Sequence, residues 1–354
     1  MVERGLNRAA ARLGGLLVAA MCVAAGSARA QSSVEAFYRG KTIDLIIGLS
    51  PGGGYDLYAR LIARYMGDRI PGKPRITPRN MPGAGSRVAI NTLYNLAAKD
   101  GLTLATADQA MAVQQAVGEP GIHFDAGKFG WIGNPIVDNN VVVTWHTSGV
   151  RTIADARERE IAIGATGYNT SSQYPRALNA IAGTKFRVVL GYPGANEINL
   201  AMENGEMQGR GSNSWSSYKA QKPDWLRDHK INVLVQIGLT KEPDLPDAPL
   251  LIDLATNDVD RAALKLLSAP PTVGRPLFTT PGVPSERLAA LRQAFDETMK
   301  DPAFLDEARR AGLDIDPVSG PALDNITRDI LASPTEVTER LARIIAEPTA
   351  SGAK

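Results

Sequence analysis

Short apolar runs alternate along the chain with stretches of helical periodicity. The runs 42–49 (TIDLIIGL), 102–106 (LTLAT), 140–145 (NVVVTW), 160–165 (EIAIGA), 186–192 (FRVVLGY) and 232–239 (NVLVQIGL) have the length and β-branched content of strands. Between them, Leu57, Leu61, Ile62 and Tyr65 fall on one helical face. Ala89, Leu93, Leu96 and Ala97 form a second face before the stop at Gly101, and Leu288, Leu291 and Phe295 a third. This alternation predicts an α/β fold whose mostly parallel sheets carry helices on both faces. A chain of 354 residues is long enough for two such domains. No repeat of solenoid period occurs, and only the tail EPTASGAK is of low complexity.

The first thirty residues have a different pattern. Arg4, Arg8 and Arg12 precede an apolar run from Leu13 to Ala25, and the small-x-small triplet Ala28-Arg29-Ala30 follows. The run is shorter than the ~20 residues that cross a bilayer, so it predicts a cleavable signal peptide over residues 1–30 rather than an anchor. Met21 precedes Cys22 where a lipid-attachment box requires a small residue, so Cys22 is expected to leave with the peptide. Cleavage after Ala30 leaves 35 basic residues against 36 acidic ones. Such a balance, with no basic run, disfavours nucleic acid as a partner. The mature chain has no cysteine, which excludes disulfides and cysteine-rich zinc sites. Export without disulfides or a spanning segment points to the bacterial periplasm.

Three glycine- or hydroxyl-rich turns suggest chemistry. In "GLSPGGGYDLYARLIARY" the residues Ser50, Pro51, Gly52, Gly53, Gly54, Tyr55 and Asp56 lead from the end of the first strand into a helix. Bare backbone there lets a ligand approach helix-start N–H groups, which together with the helix dipole favour a carboxylate or phosphate. The pattern returns at Pro82, Gly83, Ala84, Gly85 and Ser86, ahead of a second helix. A third turn, with Thr166, Gly167, Tyr168, Thr170, Ser171 and Ser172, follows strand 160–165. In open α/β sheets, ligands bind beyond the carboxyl ends of the strands, where these turns fall.

Enzyme signatures are missing. "RGKT" at 39–42 precedes the strand that a phosphate-binding loop should follow, and Leu57 stands where a dinucleotide fingerprint needs its third glycine. His123, His146 and His229 lie far apart without metal-ligand spacing, and no Gly-x-Ser-x-Gly elbow occurs. Asp56, an acid in a first helical turn, is read as structural or ligand-orienting.

The segments "LIIGLSPGGGYDLYARLIA", "RNMPGAGSRVA", "AAKDGLTLAT", "LGYPGANEINLAMENGEM" and "LFTTPGVPSERLAALRQAFDETMKDPAF" occur in an order that resembles the extracytoplasmic solute-binding receptors of tripartite tricarboxylate transporters, the Bug family. The resemblance covers nearly the whole mature chain. It implies a two-lobed Venus-flytrap fold that delivers a carboxylate to membrane permease subunits through transient contact, as a monomer, without catalysis and without a cofactor. In that family main-chain amides and waters of the first two glycine turns hold one ligand carboxylate, without an arginine salt bridge. That role carries onto Ser50 to Asp56 and Pro82 to Ser86, and the third turn faces the ligand from the other lobe. Asp108 and Gln109 are counted with the ligand-binding set.

Some residues depart from the family pattern. Gly48-Leu49-Ser50 stands where Pro-Phe or Pro-Tyr is usual, Ser86 where glycine is frequent, "GYPG" (Gly191, Tyr192, Pro193, Gly194) in place of Pro-Tyr-Lys-Gly, and Gln208 in place of an acid. These changes leave the carboxylate clamp intact and fall on the distal contacts. There Tyr55, Tyr168, Tyr192 and Trp215 are expected to form an aromatic wall suited to a ring or a long aliphatic acid. The expected division is lobe one over 34–137 and 273–354 and lobe two over 138–272. A sensing module that signals to a membrane kinase, or a secreted hydrolase, are the alternatives.

Overall fold

The computed structural model describes residues 33–347. The expected signal peptide, Cys22 and the cleavage point after Ala30 lie outside the described residues. A helix α1 over 33–38 opens the described chain. It is followed by β1 (Thr42–Ile47), α2 (Gly54–Met66), β2 (Arg75–Asn80), α3 (Arg87–Leu96), β3 (Thr103–Thr106), α4 (Met111–Ala116) and β4 (Gly130–Asn134). The chain then crosses to a second sheet, with β5 (Asn140–Trp145), α5 (Ile153–Glu158), β6 (Ile161–Gly164), α6 (Thr170–Ala182), β7 (Phe186–Val189) and α7 (Ala195–Glu203). That sheet is completed by β8 (Gly209–Ser214), α8 (Trp215–Gln221), α9 (Pro223–Arg227) and β9 (Ile231–Ile237), with α10 (Asp258–Leu267) and α11 (Pro270–Val273) after it. A return crossing leads to β10 (Leu277–Thr279), α12 (Ser285–Thr298), α13 (Pro302–Arg310), β11 (Val318–Ser319), α14 (Gly320–Leu331) and α15 (Thr335–Ile345).

Two sheets result. One has the order β11-β4-β10-β3-β1-β2, the other β7-β6-β8-β5-β9. They are mixed rather than mostly parallel, which corrects the expectation. β1 pairs in parallel with β2 and β3, and β6 with β7 and β8, because each of these strands is fed by a helical crossover. β5 and β10 run against their neighbours. Each is the first strand that the chain forms after crossing from the other sheet, β5 directly from β4 and β10 after α10 and α11. Strand alternation in β1 sends Ile43, Leu45 and Ile47 to one face, where they pack with Leu61, Ile62, Leu291 and Phe295. Ile46 points the other way, among Ile90, Leu93, Met111 and Trp131. The helical face expected in α3 holds for Ala89 and Leu93, but Leu96 is exposed. Helix α15 does not stay with the first sheet; it packs on α6 and α10. Leu341, Ile344 and Ile345 share a cluster there with Leu178 and Leu264.

The two crossings are fastened to each other. Asn134 Nδ2 donates to the carbonyl of Ile136 (2.6 Å), and its Oδ1 accepts from the N–H groups of Ile136 (3.2 Å) and Arg275 (2.8 Å). The Arg275 guanidinium, only 5 % exposed, meets the equally buried Asp138 of the other crossing at 3.4 Å. It also donates to the hydroxyls of Ser214, Ser216 and Ser217, and it lies 4.6 Å from the ring centre of Tyr58 in α2.

Removing one partner of a buried pair leaves the other charge uncompensated, at about 3–5 kcal/mol. Arg275→Met should therefore lower the unfolding free energy by about that amount, read from the urea midpoint at constant slope. A loss below about 1 kcal/mol would assign the crossing's stability to Asn134 and packing instead.

Candidate ligand-binding site

A cavity of about 70 Å³ lies between the two sheets, walled by the turns that follow β1, β3 and β6, by β8, and by Gly274 and Arg275 of the return crossing. It exceeds several-fold the ~10–15 Å³ that one water needs, which suits a small molecule.

The first glycine turn supplies one wall through Ser50, Gly53, Gly54 and Tyr55. Gly53 is the N-cap of α2 and offers no side-chain oxygen, so the first-turn N–H groups have no cap. Ser50 Oγ reaches across to Glu197 Oε2 at 3.0 Å. The Tyr55 hydroxyl accepts from Gln109 N–H (3.1 Å) and donates to Gly274 O (3.3 Å), joining the β3 turn to the crossing. Burial raises the Tyr55 hydroxyl well above its ordinary pKa, which keeps it a neutral donor. The rest of this turn does other work. Pro51 is exposed, and its carbonyl accepts from Asn196 Nδ2 (3.3 Å). Gly52, at φ +80°, donates its N–H to Asp56 Oδ2 (2.9 Å). Asp56 accepts further bonds from Arg60 Nε and Asn80 Nδ2, both 2.9 Å. Burial alone would raise its pKa, but these donors hold it below the ordinary value. Asp56 is thus a fully engaged structural carboxylate.

The second turn does not line the cavity. Pro82 and Ala84 are exposed, and Ser86 is buried, its Oγ donating to Gly48 O at 3.1 Å. Gly83, Ala84, Gly85 and Ser86 all have positive φ, and Gly85 abuts the third turn. A Cβ on Gly167 would lie 2.7 Å from the Gly85 nitrogen, so glycine on both sides lets the two turns touch backbone to backbone.

In the third turn, Thr166, Thr170 and Ser171 line the cavity beside Asn169, which the sequence reading missed. Asn169 caps α6, accepting from Ser171 N–H (3.1 Å), and its amide donates to Asp108 Oδ2 (3.1 Å). Such a cap is legible as Asn one residue before a helical run. Ser172 is buried inside the helix, with its Oγ on Asn169 O (3.2 Å). Asp108 and Gln109 both line the cavity.

The aromatic wall is not formed; of its four residues only Tyr55 reaches the cavity. Tyr168 is 40 % exposed, its ring under Arg87 and Arg176. Tyr192 and Trp215 pack into the second-lobe cluster with Ile198 and Trp225, Trp215 Nε1 donates to Asp244 Oδ2 (3.2 Å), and Pro193 is exposed. Polar groups of β8 and its surroundings take the wall's place: Asn140, Arg210, Ser212, Asn213, Ser214 and Ser217, with Asp138 and Arg275.

No protein-family model matches the chain, and none of the curated proteins matches it significantly. Solved structures do. The periplasmic binding protein BugD superposes with a TM-score of 0.68 at 14% identity, over 87% of this chain and 98% of its own. The R. palustris protein Rpa4515 with adipate gives 0.66 at 17%, over 86% and 97%. MatC from Rhodopseudomonas palustris with bound malate gives 0.66 at 16%, over 87% and 99%. The chain therefore has the two-lobed α/β fold of periplasmic binding proteins, as the resemblance implied.

Asp108 gives the site a pH dependence. Burial pushes its carboxyl up to about 7, helped by the charge of Glu119 and opposed by the N–H of Ala110 and the hydroxyl of Thr170. Between ~pH 4 and that value the folded chain keeps a proton that the unfolded chain has lost, so stability falls as pH rises through this window. Asp108→Asn should lose less melting temperature than the parent between pH 5 and pH 8. An identical slope in both proteins would show that Asp108 titrates as an ordinary carboxylate.

Proposed function

We propose that this chain is a periplasmic solute-binding protein that captures a small organic carboxylate for uptake by a tripartite tricarboxylate-type transporter. The uncapped start of α2, opening through Gly53, Gly54 and Tyr55 into a buried cavity between two sheets, is the observation that carries this reading. Converging N–H groups at the positive end of a thirteen-residue helix favour an anion. The hydroxyls and amides of Thr166, Asn169, Thr170, Ser171, Ser212, Asn213 and Ser217 face the same space, and they can donate to carboxylate oxygens or hold bridging waters.

The fold supports the same reading, since two proteins of this fold hold the dicarboxylates adipate and malate. Lobe one comprises 34–137 and 273 onward and lobe two 138–272, with α15 lying against lobe two. The lobes meet around the ligand, which fits the contacts Ser50 to Glu197 and Asn169 to Asp108 across the cleft. Export through the N-terminal peptide, action as a monomer, transient delivery to permease subunits and the absence of catalysis belong to this proposal. No aromatic wall is invoked, so a small acid fits the cavity better than a ring.

Thermal scanning with paired ligands tests the proposal. C4 to C8 dicarboxylates, citrate and aromatic acids are each compared with their amides. A ligand at a hundredfold excess over Kd stabilises the folded state by about 2.7 kcal/mol, a shift of several degrees. Acids should raise the melting point and their amides should not. Equal shifts from an acid and its amide, or from a neutral sugar, would refute an anion site.

A further inference from the structure

Arg210 is the second residue of β8, lines the cavity and is 5 % exposed. Its Nε donates to Ser212 O (2.8 Å) and its Nη1 to Asn199 Oδ1 (3.0 Å) and Ala195 O (3.5 Å). Those acceptors are all neutral. Among the described residues no carboxylate comes within ion-pair distance of the guanidinium, and Nη2 has no hydrogen-bond acceptor. Glu197 is the nearby acid, but its carboxylate accepts from Ser50 across the cleft. Burial pulls the pKa of Arg210 below its ordinary value, as expected of a charge without a counterion.

Arg275 makes the contrast. It is buried to the same degree and lines the same cavity, yet Asp138 pairs with its charge and three serine hydroxyls accept hydrogen bonds from it. Arg210 is held by two of its nitrogens, while its third has no acceptor among the described residues. A buried unpaired charge is costly, so an anion that reached it would gain an interaction that no described residue supplies. A side chain at Gly211 would run into the Ser171 carbonyl, so the glycine beside Arg210 lets α6 close directly over the strand.

We propose that Arg210 is a specificity-determining residue whose free Nη2 edge pairs with an anionic group of the ligand from the second lobe, so that, with the α2 start receiving a carboxylate from the first lobe, the site selects small dicarboxylates over monocarboxylates. This rests on the carboxylate reading above and adds to it a named charge and a preference. It also departs from the Bug-family pattern, which has no arginine salt bridge to the ligand.

Isothermal titration with succinate and with butyrate, on the parent, Arg210→Gln and Arg210→Lys, tests the inference. The parent should bind succinate more tightly than butyrate. Arg210→Gln should weaken succinate roughly tenfold to a hundredfold, the range for a hydrogen bond to a charged group, and leave butyrate within about threefold. Arg210→Lys, which keeps the charge but not the planar fork, should retain part of the preference. The ligand-free melting point of Arg210→Gln should be unchanged or higher, because an unpaired charge is removed; a merely structural arginine would lower it. Equal affinity of the parent for the two acids, or equal losses for both in Arg210→Gln, would overturn the inference. Binding of neither acid, with no shift from any other carboxylate, would instead refute the carboxylate reading beneath it.

Discussion

The fold turns on one buried ion pair. Arg275 and Asp138 sit on the two strands of chain that join the sheets, and each is nearly removed from water. A pair so placed has given up hydration that its mutual attraction alone does not return. What makes it tenable is satisfaction on every side: serine hydroxyls of β8 and α8 accept from the guanidinium, Ser216 donates to the carboxylate, and Tyr58 covers the cation. Asn134 binds both crossings through backbone groups. Because the serines belong to β8 and to α8, which follows it, and Tyr58 to α2, this cluster fixes how the two sheets face each other, and so the shape of the cleft.

The cleft in turn depends on backbone approaching backbone. The glycine turns serve this end in different ways. The first exposes the start of α2 to the cavity, whereas the second and third meet each other at Gly85 and Gly167 and close its rim. Polar bridges such as Ser50 to Glu197 and Arg87 to the carbonyl of Tyr168 then cross from one side to the other. Few of these contacts bury much apolar surface. An arrangement held by a few part-buried hydrogen bonds at the rim and by a buried ion pair at the crossings suits lobes that open and close about those crossings.

How far the sequence showed this depended on where each element places its side chains. β1 and α2 were legible because each has an apolar face on a core, so the periods of two and 3.6 appear in the residues. β8, GRGSNS, was not. It lies between β6 and β5, held by ladder hydrogen bonds and glycine-permitted contact, and its side chains turn to the cavity rather than to a core. With no apolar alternation it gives no strand signal, and nothing in the sequence singles out Arg210, Ser212, Asn213 and Ser214. Arg275 and Asp138 were hidden for another reason: their pairing spans 137 positions, and nothing local marks it. The aromatic wall failed because residue type gives no orientation. Trp215 begins α8 with its ring in the second-lobe cluster, and Tyr168 lies under two arginines at the surface.

Whether a carboxylate meets the start of α2 inside the cleft is decided by a crystal structure with a bound organic acid. The acid that gives the largest melting shift is the one to crystallise. A carboxylate oxygen is expected within about 3 Å of first-turn nitrogens of α2, with the rest of the molecule enclosed between Thr170 and Arg210. An acid seated elsewhere, or one bound with its carboxylates in solvent and its carbon chain against α2, would contradict this expectation.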